Sequence, residues 1–140
     1  MNVKIAANRM ELEDAFSIRK TVFIEEQNVP AEEEIDQYEN DCTHFVLYQD
    51  GFPAGAGRFR VTDGYGKVER ICVLKEQRQN GAGQAVMNAI EEYAQENGIK
   101  KLKLNAQTHA IPFYSKLGYE TVSEEFMDAG IPHKTMIKQL

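Results

Sequence analysis

The stretch "RQNGAGQ", Arg78 to Gln84, holds two glycines one residue apart, directly before an apolar run. Upstream lies a β-rich segment, "VERICV" from Val68 to Val73. Downstream, Val86, Ala89, Ile90, Tyr93 and Ala94 fall on one face of a helix. The stretch therefore reads as a loop that joins a strand to a helix N-terminus, where backbone N–H groups are free and the macrodipole is positive. Gly81 and Gly83 carry no Cβ, so an anion can approach the backbone, and Arg78 adds a charged fork. The outline is that of a pyrophosphate cradle. No Gly-Lys-Ser/Thr follows, so it is not a Walker loop, and it lacks the three-glycine dinucleotide fingerprint. A plain turn with a helix start is the other reading of the loop taken alone.

Working outward, Val3–Ala7 reads as a short strand. Asn8 and Glu11 have capping-box spacing. Leu12, Ala15, Phe16, Arg19, Val22 and Phe23 then recur at helical spacing for about four turns, until Asn28-Val29-Pro30 ends the helix. Residues 31–41 are acidic and read mostly as a solvated loop. Thr43–Gln49, Pro53–Val61 and Lys67–Leu74 are strands separated by Asp-Gly turns, an antiparallel meander. After the glycine loop and its helix, Asn97-Gly98 is a C-cap. Lys101–Asn105 is a strand, Ala110–Leu117 a short helix, and Tyr119–Ser123 with His133–Gln139 a final strand pair. The order β-α-β-β-β-α-β-α-β-β predicts an α/β fold with a mixed sheet and a right-handed parallel crossover in its centre.

The totals fit one domain, residues 1–140. A chain of this size buries roughly two-thirds of its unfolded surface. The net charge of −6 argues against nucleic acid, whose phosphates need clustered Lys and Arg. It fits a cationic or neutral acceptor. Cys42 and Cys72 are too few for a disulfide framework or a zinc site, and no metal is expected. With no signal peptide and no apolar run of membrane length, the expected compartment is the cytoplasm.

The arrangement Arg78-x-x-Gly81-x-Gly83 between strand and amphipathic helix resembles the acetyl-CoA signature of the GNAT superfamily of N-acetyltransferases. "LNAQ" (Leu104–Gln107) followed by "FYSKLGYE" (Phe113–Glu120) resembles that family's later strand and helix, and the element order agrees along the whole chain. The resemblance implies a GNAT-like fold and acetyl-CoA as co-substrate. Its pyrophosphate would be held by Arg78, Gln79, Asn80, Gly81, Ala82, Gly83 and Gln84. Ile71 and Val73 would pair with the pantetheine arm. Asn105 would lie where two parallel strands splay to admit the thioester.

Attack of a neutral amine on that thioester needs a base, an oxyanion donor and an acid for the thiolate. By likeness the Val73 N–H suits the oxyanion and Tyr114 the thiolate. Tyr114 also reads as a core aromatic. For the base, Glu69 is expected to share a face with Ile71 and Val73 by alternation, or to be a surface carboxylate paired with Arg70. His133 and His109 are further candidates, each equally readable as structural. A water chain is another route.

"RKTVFIEEQNVP" (Arg19–Pro30) followed by "EID" (Glu34–Asp36) resembles a small bacterial GNAT branch and the acyl-homoserine-lactone synthases. Phe23, Glu34 and Asp36 would then lie at the acceptor, with the acidic pair binding an ammonium and His109 nearby. An Arg19–acid salt bridge ordering the loop is the alternative. Glu39 replaces the synthases' last Asp, no Trp is present, and the chain is shorter than theirs. Acetylation of a small-molecule or peptide amine thus leads. Lactone synthesis and a non-catalytic CoA sensor stand as alternatives, and a homodimer is left open.

Overall fold

The computed structural model describes all 140 residues. Strand β1 (Asn2–Ile5) leads to a reciprocal cap: Asn8 Oδ1 accepts from the Glu11 N–H at 2.9 Å, and the Glu11 carboxylate accepts from the Ala7 N–H at 2.9 Å. The cap starts α1 (Arg9–Arg19), which loosens into a π-helical segment, Lys20–Glu26. The wider turn keeps Val22 and Phe23 on the buried side with Ala15 and Ile18. Residues 31–41 are not the solvated loop that their acidity suggests. They form a one-turn helix, α2 (Ala31–Glu34), and a 3₁₀ turn at Glu39–Asp41. Glu34 is only 2% exposed.

Strands β2 (Thr43–Gln49), β3 (Phe52–Thr62) and β4 (Tyr65–Val73) make the expected meander. Its turns are left-handed at both central residues: φ is 52° and 83° at Asp50 and Gly51, and 52° and 80° at Asp63 and Gly64. That geometry matches the twist of the flanking strands. Helix α3 (Ala82–Glu96) crosses over to β5 (Lys101–Gln107), which runs parallel to β4. Helix α4 (Ile111–Lys116) then leads to β6 (Glu120–Thr121), β7 (Phe126–Asp128) and β8 (Ile131–Gln139). The sheet order is β1-β2-β3-β4-β5-β8-β6, with β7 also on β8. Strand β7 is an addition to the sequence reading.

Each face of the sheet has its own core. Phe45, Phe59, Leu102 and Met136 pack with Val86, Met87 and Ile90 of α3. Val46, Ala56 and Cys72 pack with Ala15, Ile18 and Val22 on the α1 side. No helix is long and apolar enough to cross a membrane.

Candidate active site

Pairing between β4 and β5 ends at Val68 and Leu104. Beyond that point the strands part, each with an unpaired backbone edge. The cause lies in β4. Ala56 pairs with Cys72 but Arg58 pairs with Glu69, so Gly57 faces both Arg70 and Ile71. Arg70 sits at φ 60°, a left-handed conformation uncommon outside glycine. A bulge of this kind bends its strand. The Arg70 side chain is anchored: Nε and Nη2 donate to the Glu34 carbonyl at 3.2 and 3.1 Å.

The bulge also corrects the expected alternation. Ile71 and Val73 pack toward the α3 core, while Cys72 packs on the α1 side. Glu69, opposite Arg58, shares that arginine's face and not that of Ile71 and Val73.

Leu74 N–H donates to the Ala54 carbonyl of β3. By alternation along the strand, the Val73 N–H and carbonyl both point into the split. Arg78 Nε takes that carbonyl at 2.9 Å. Asn105 is the first β5 residue past the split, and its Oδ1 accepts from Thr135 Oγ1 at 2.8 Å.

At the loop, the N–H groups of Gln79, Asn80, Gly81, Gly83 and Gln84 make no backbone–backbone hydrogen bond. Ala82 N–H is taken by Asn80 Oδ1 at 3.3 Å. A run of free N–H groups at the start of a fifteen-residue helix is a cradle for an anion. Two details depart from the sequence reading. The Arg78 fork is turned away from the loop by a bidentate pair with Glu26, at 2.7 and 2.8 Å. Both glycines also serve the fold. Gly81 holds φ 90°, and a Cβ on Gly83 would lie 3.1 Å from Phe113 Cζ.

A cleft of about 950 Å³ follows the split. Phe23, Glu34 and Asp36 line its α1 side, and Glu69, Ile71 and Val73 its β4 wall. Asn105, His109, Tyr114 and His133 line the side of β5, α4 and β8, with Arg78, Gln79 and Gly83 at the loop end. Asn80, Gly81, Ala82 and Gln84 are outside the lining, and the Ala82 side chain is in the core. Sequence reasoning missed Gln27 and Gln107. Gln107 Nε2 donates to Gln27 Oε1 at 2.8 Å and bridges the π-helical segment to β5, while His109 Nε2 donates to Gln107 Oε1 at 2.6 Å. Eighty residues separate the two glutamines, and no local pattern in the sequence marks the pair.

Tyr114 is buried between Phe113 and Tyr119, with ring centroids 5.0 and 5.9 Å away. Burial raises its phenol pKa above the ordinary value and so makes the phenol a weaker acid. His133 is buried and stacks on Phe126 at 6.0 Å. Its Nδ1 lies 2.7 Å from the Ile131 carbonyl. A carbonyl only accepts, so Nδ1 carries the proton and Nε2 of the neutral ring is the lone-pair nitrogen. Glu69 is engaged by Arg58 Nη2 at 3.1 Å and Arg60 Nε at 2.9 Å. Burial alone would raise its pKa, but these arginines outweigh burial and lower it.

The acidic loop forms ion pairs. Arg19 Nη2 binds Glu34 at 2.6 Å and Glu39 at 2.7 Å. Arg58 Nη2 binds Asp36 at 2.6 Å, and Arg70 reaches Glu34 at 3.2 Å and Asp36 at 3.4 Å. Of the two sequence readings, the geometry is that of the loop-ordering salt bridge. Neither Glu34 nor Asp36 presents an unpaired carboxylate to a cation.

A parallel strand pair that opens beside a loop of free N–H groups is a shape seen in other proteins. The family model for the acetyltransferase (GNAT) domain matches residues 8–140. The chain belongs to the GNAT acetyltransferase family. This GNAT protein is an acyltransferase, and several of its relatives are named acetyltransferases. It is 55% identical to the uncharacterised N-acetyltransferase YjcF of Bacillus subtilis over 99% of both chains. Among solved structures it resembles a candidate N-acetyltransferase from Lactobacillus plantarum, with TM-score 0.92 and 28% identity, over 99% of this chain and 97% of that one. An aminoglycoside 6'-N-acetyltransferase complexed with coenzyme A shares the fold, with TM-score 0.78 and 16% identity, over 99% and 97%.

Proposed function

We propose that this GNAT protein transfers an acetyl group from acetyl-CoA to a primary amine of a small molecule or peptide, directly, in a ternary complex. The observation that carries the reading is the split after Val68 and Leu104, which opens next to five free loop N–H groups. The coenzyme A in the aminoglycoside acetyltransferase structure is consistent with it. The pyrophosphate is held by the N–H groups of Gln79, Asn80, Gly81, Gly83 and Gln84. The pantetheine arm lies along the β4 edge at Ile71 and Val73, where the Val73 carbonyl is already taken by Arg78 and its N–H is left for the thioester.

The amine nitrogen attacks the thioester carbonyl, and the developing oxyanion is met by the Val73 N–H. The C–S bond then breaks, and the Tyr114 phenol donates its proton to the thiolate. The ammonium proton goes to His133 Nε2, which Ile131 fixes as the lone-pair nitrogen. Glu69 is the weaker base because two arginines hold its charge. Calorimetry with acetyl-CoA, and a screen of amines and peptides by thiol release, test the reading. A folded protein with neither acetyl-CoA binding nor thiol release on any amine sinks it.

A further inference from the structure

On the sheet face that carries Asn105, the two strands below the split present lysines to one another. Lys67 of β4 pairs in register with Lys103 of β5, so their side chains leave the same face side by side. Lys101, two residues before Lys103, shares that face. Both β5 lysines lie over the ring of Tyr65, with Nζ at 5.6 Å for Lys101 and 5.2 Å for Lys103. Neither has a carboxylate within ion-pair distance. Lys67 has only Glu69, at 3.8 Å, which already serves Arg58 and Arg60.

Like charges set directly across a strand pair repel and are normally avoided. Here three stand together in a chain of net charge −6, two of them over one aromatic ring. At the same end of the cleft, Glu34, Asp36 and Glu69 are neutralised by arginines. Lys67 itself lines the cleft. The positive charge without a close carboxylate is therefore that of Lys101 and Lys103, beside the cleft-lining Lys67, although the chain as a whole is acidic.

We propose that Lys67, Lys101 and Lys103 form an anion-binding subsite for the acceptor, which is a peptide with an acidic side chain a few residues from its reactive amine. The inference rests on the acetyl transfer of the proposed function, with the reactive amine at the split beside Asn105. Lys103 and Lys101 stand two and four residues before Asn105 on the same strand face, about 7 and 13 Å away at the usual strand rise. An extended peptide whose N-terminal amine reaches Asn105 would place its third to fifth residues over these lysines. Glu32, Glu33 and Asp128 line the cleft without an ion pair, and they belong to α2 and β7, not to the strands that carry the lysines.

The test uses three pentapeptides that differ only at positions three to five: Asp, Ala or Lys. Their binding to the whole protein is followed by fluorescence anisotropy, and their acetylation by thiol release. At low salt the Asp peptide is expected to bind about 5–10-fold more tightly than the Ala peptide, and the difference should shrink with added salt. The Lys101→Glu/Lys103→Glu double variant should reverse the order. The Lys101→Gln/Lys103→Gln variant should level it, with acetyl-CoA affinity unchanged in both. Equal binding of all three peptides, or a preference that survives charge reversal, overturns the subsite. Charge-dependent binding with no acetylation of any peptide or amine would keep the subsite and count against acetyl transfer.

Discussion

Gly83 and Phe113 touch so closely that a methyl group on residue 83 would come within 3.1 Å of the ring. The glycine at the start of α3 is thus a packing residue for α4 as well as part of the loop. Gly83→Ala is expected to destabilise the fold by about 1–3 kcal/mol through overpacking. In a Phe113→Leu background most of that loss should vanish, because the clashing ring atom is gone. Chemical denaturation of the four proteins of this cycle measures the coupling. Additive effects would show that the contact does not set the requirement.

Tyr114→Phe should leave stability nearly unchanged, since the ring packing is kept. Single-turnover acetyl transfer should fall by roughly 10²–10⁴-fold if general-acid catalysis is lost. Acetyl-CoA affinity should hold. A native single-turnover rate would leave Tyr114 as a packing aromatic.

Glu34→Gln removes the charge that faces Arg19 and Arg70 in a buried setting. Breaking one side of such a pair costs about 3–5 kcal/mol. The expected result is a lower unfolding midpoint in urea, with acetyl-CoA affinity of the folded protein intact. A rise in acceptor KM at native stability would instead assign Glu34 to substrate binding.

Acid should loosen the α2 region early. Burial alone would raise the pKa of Asp36 and Glu39, but Arg58 beside Asp36 and Arg19 beside Glu39 lower each to about 2, from 3.8 and 4.5. Carboxylates held below their unfolded values stabilise the fold above those values, and the contribution fades as pH falls toward the folded pKa. Stability should therefore decline between about pH 4.5 and 2, as followed by circular dichroism. An Arg58→Leu variant should begin to unfold at higher pH. Identical acid profiles would refute the assignment.

Most of the sheet was legible because its signals are local. Two Asp-Gly turns fixed the meander, and Asn8 with Glu11 fixed the first helix start. The third hairpin was hidden because Ala129 precedes Gly130 at its turn, at φ 52° and 75°, where Asn or Asp usually stands. The bulge at Arg70 leaves no trace in the sequence, because arginine has no preference for a left-handed backbone. Period-two reading therefore put Glu69 on the wrong face. The loop was legible from strand–loop–helix context together with the family resemblance, and Tyr114 was singled out by that resemblance alone. The Gln27–Gln107 bridge and the arginine pairing of the acidic loop exist only after distant segments meet.

Arg70 carries a consequence for how the molecule folds. Its bent backbone is steadied by carbonyl and carboxylate oxygens some 36 residues earlier in the chain. The opening between β4 and β5 is therefore a late product of assembly, since it needs α2 in place before β4 can hold its bend. Local opening of α2 is expected to relax that bend, so amide exchange in these two distant segments should rise and fall together. Donor groove and acceptor wall are in this sense a single cooperative folding unit, although most of the sheet lies outside it.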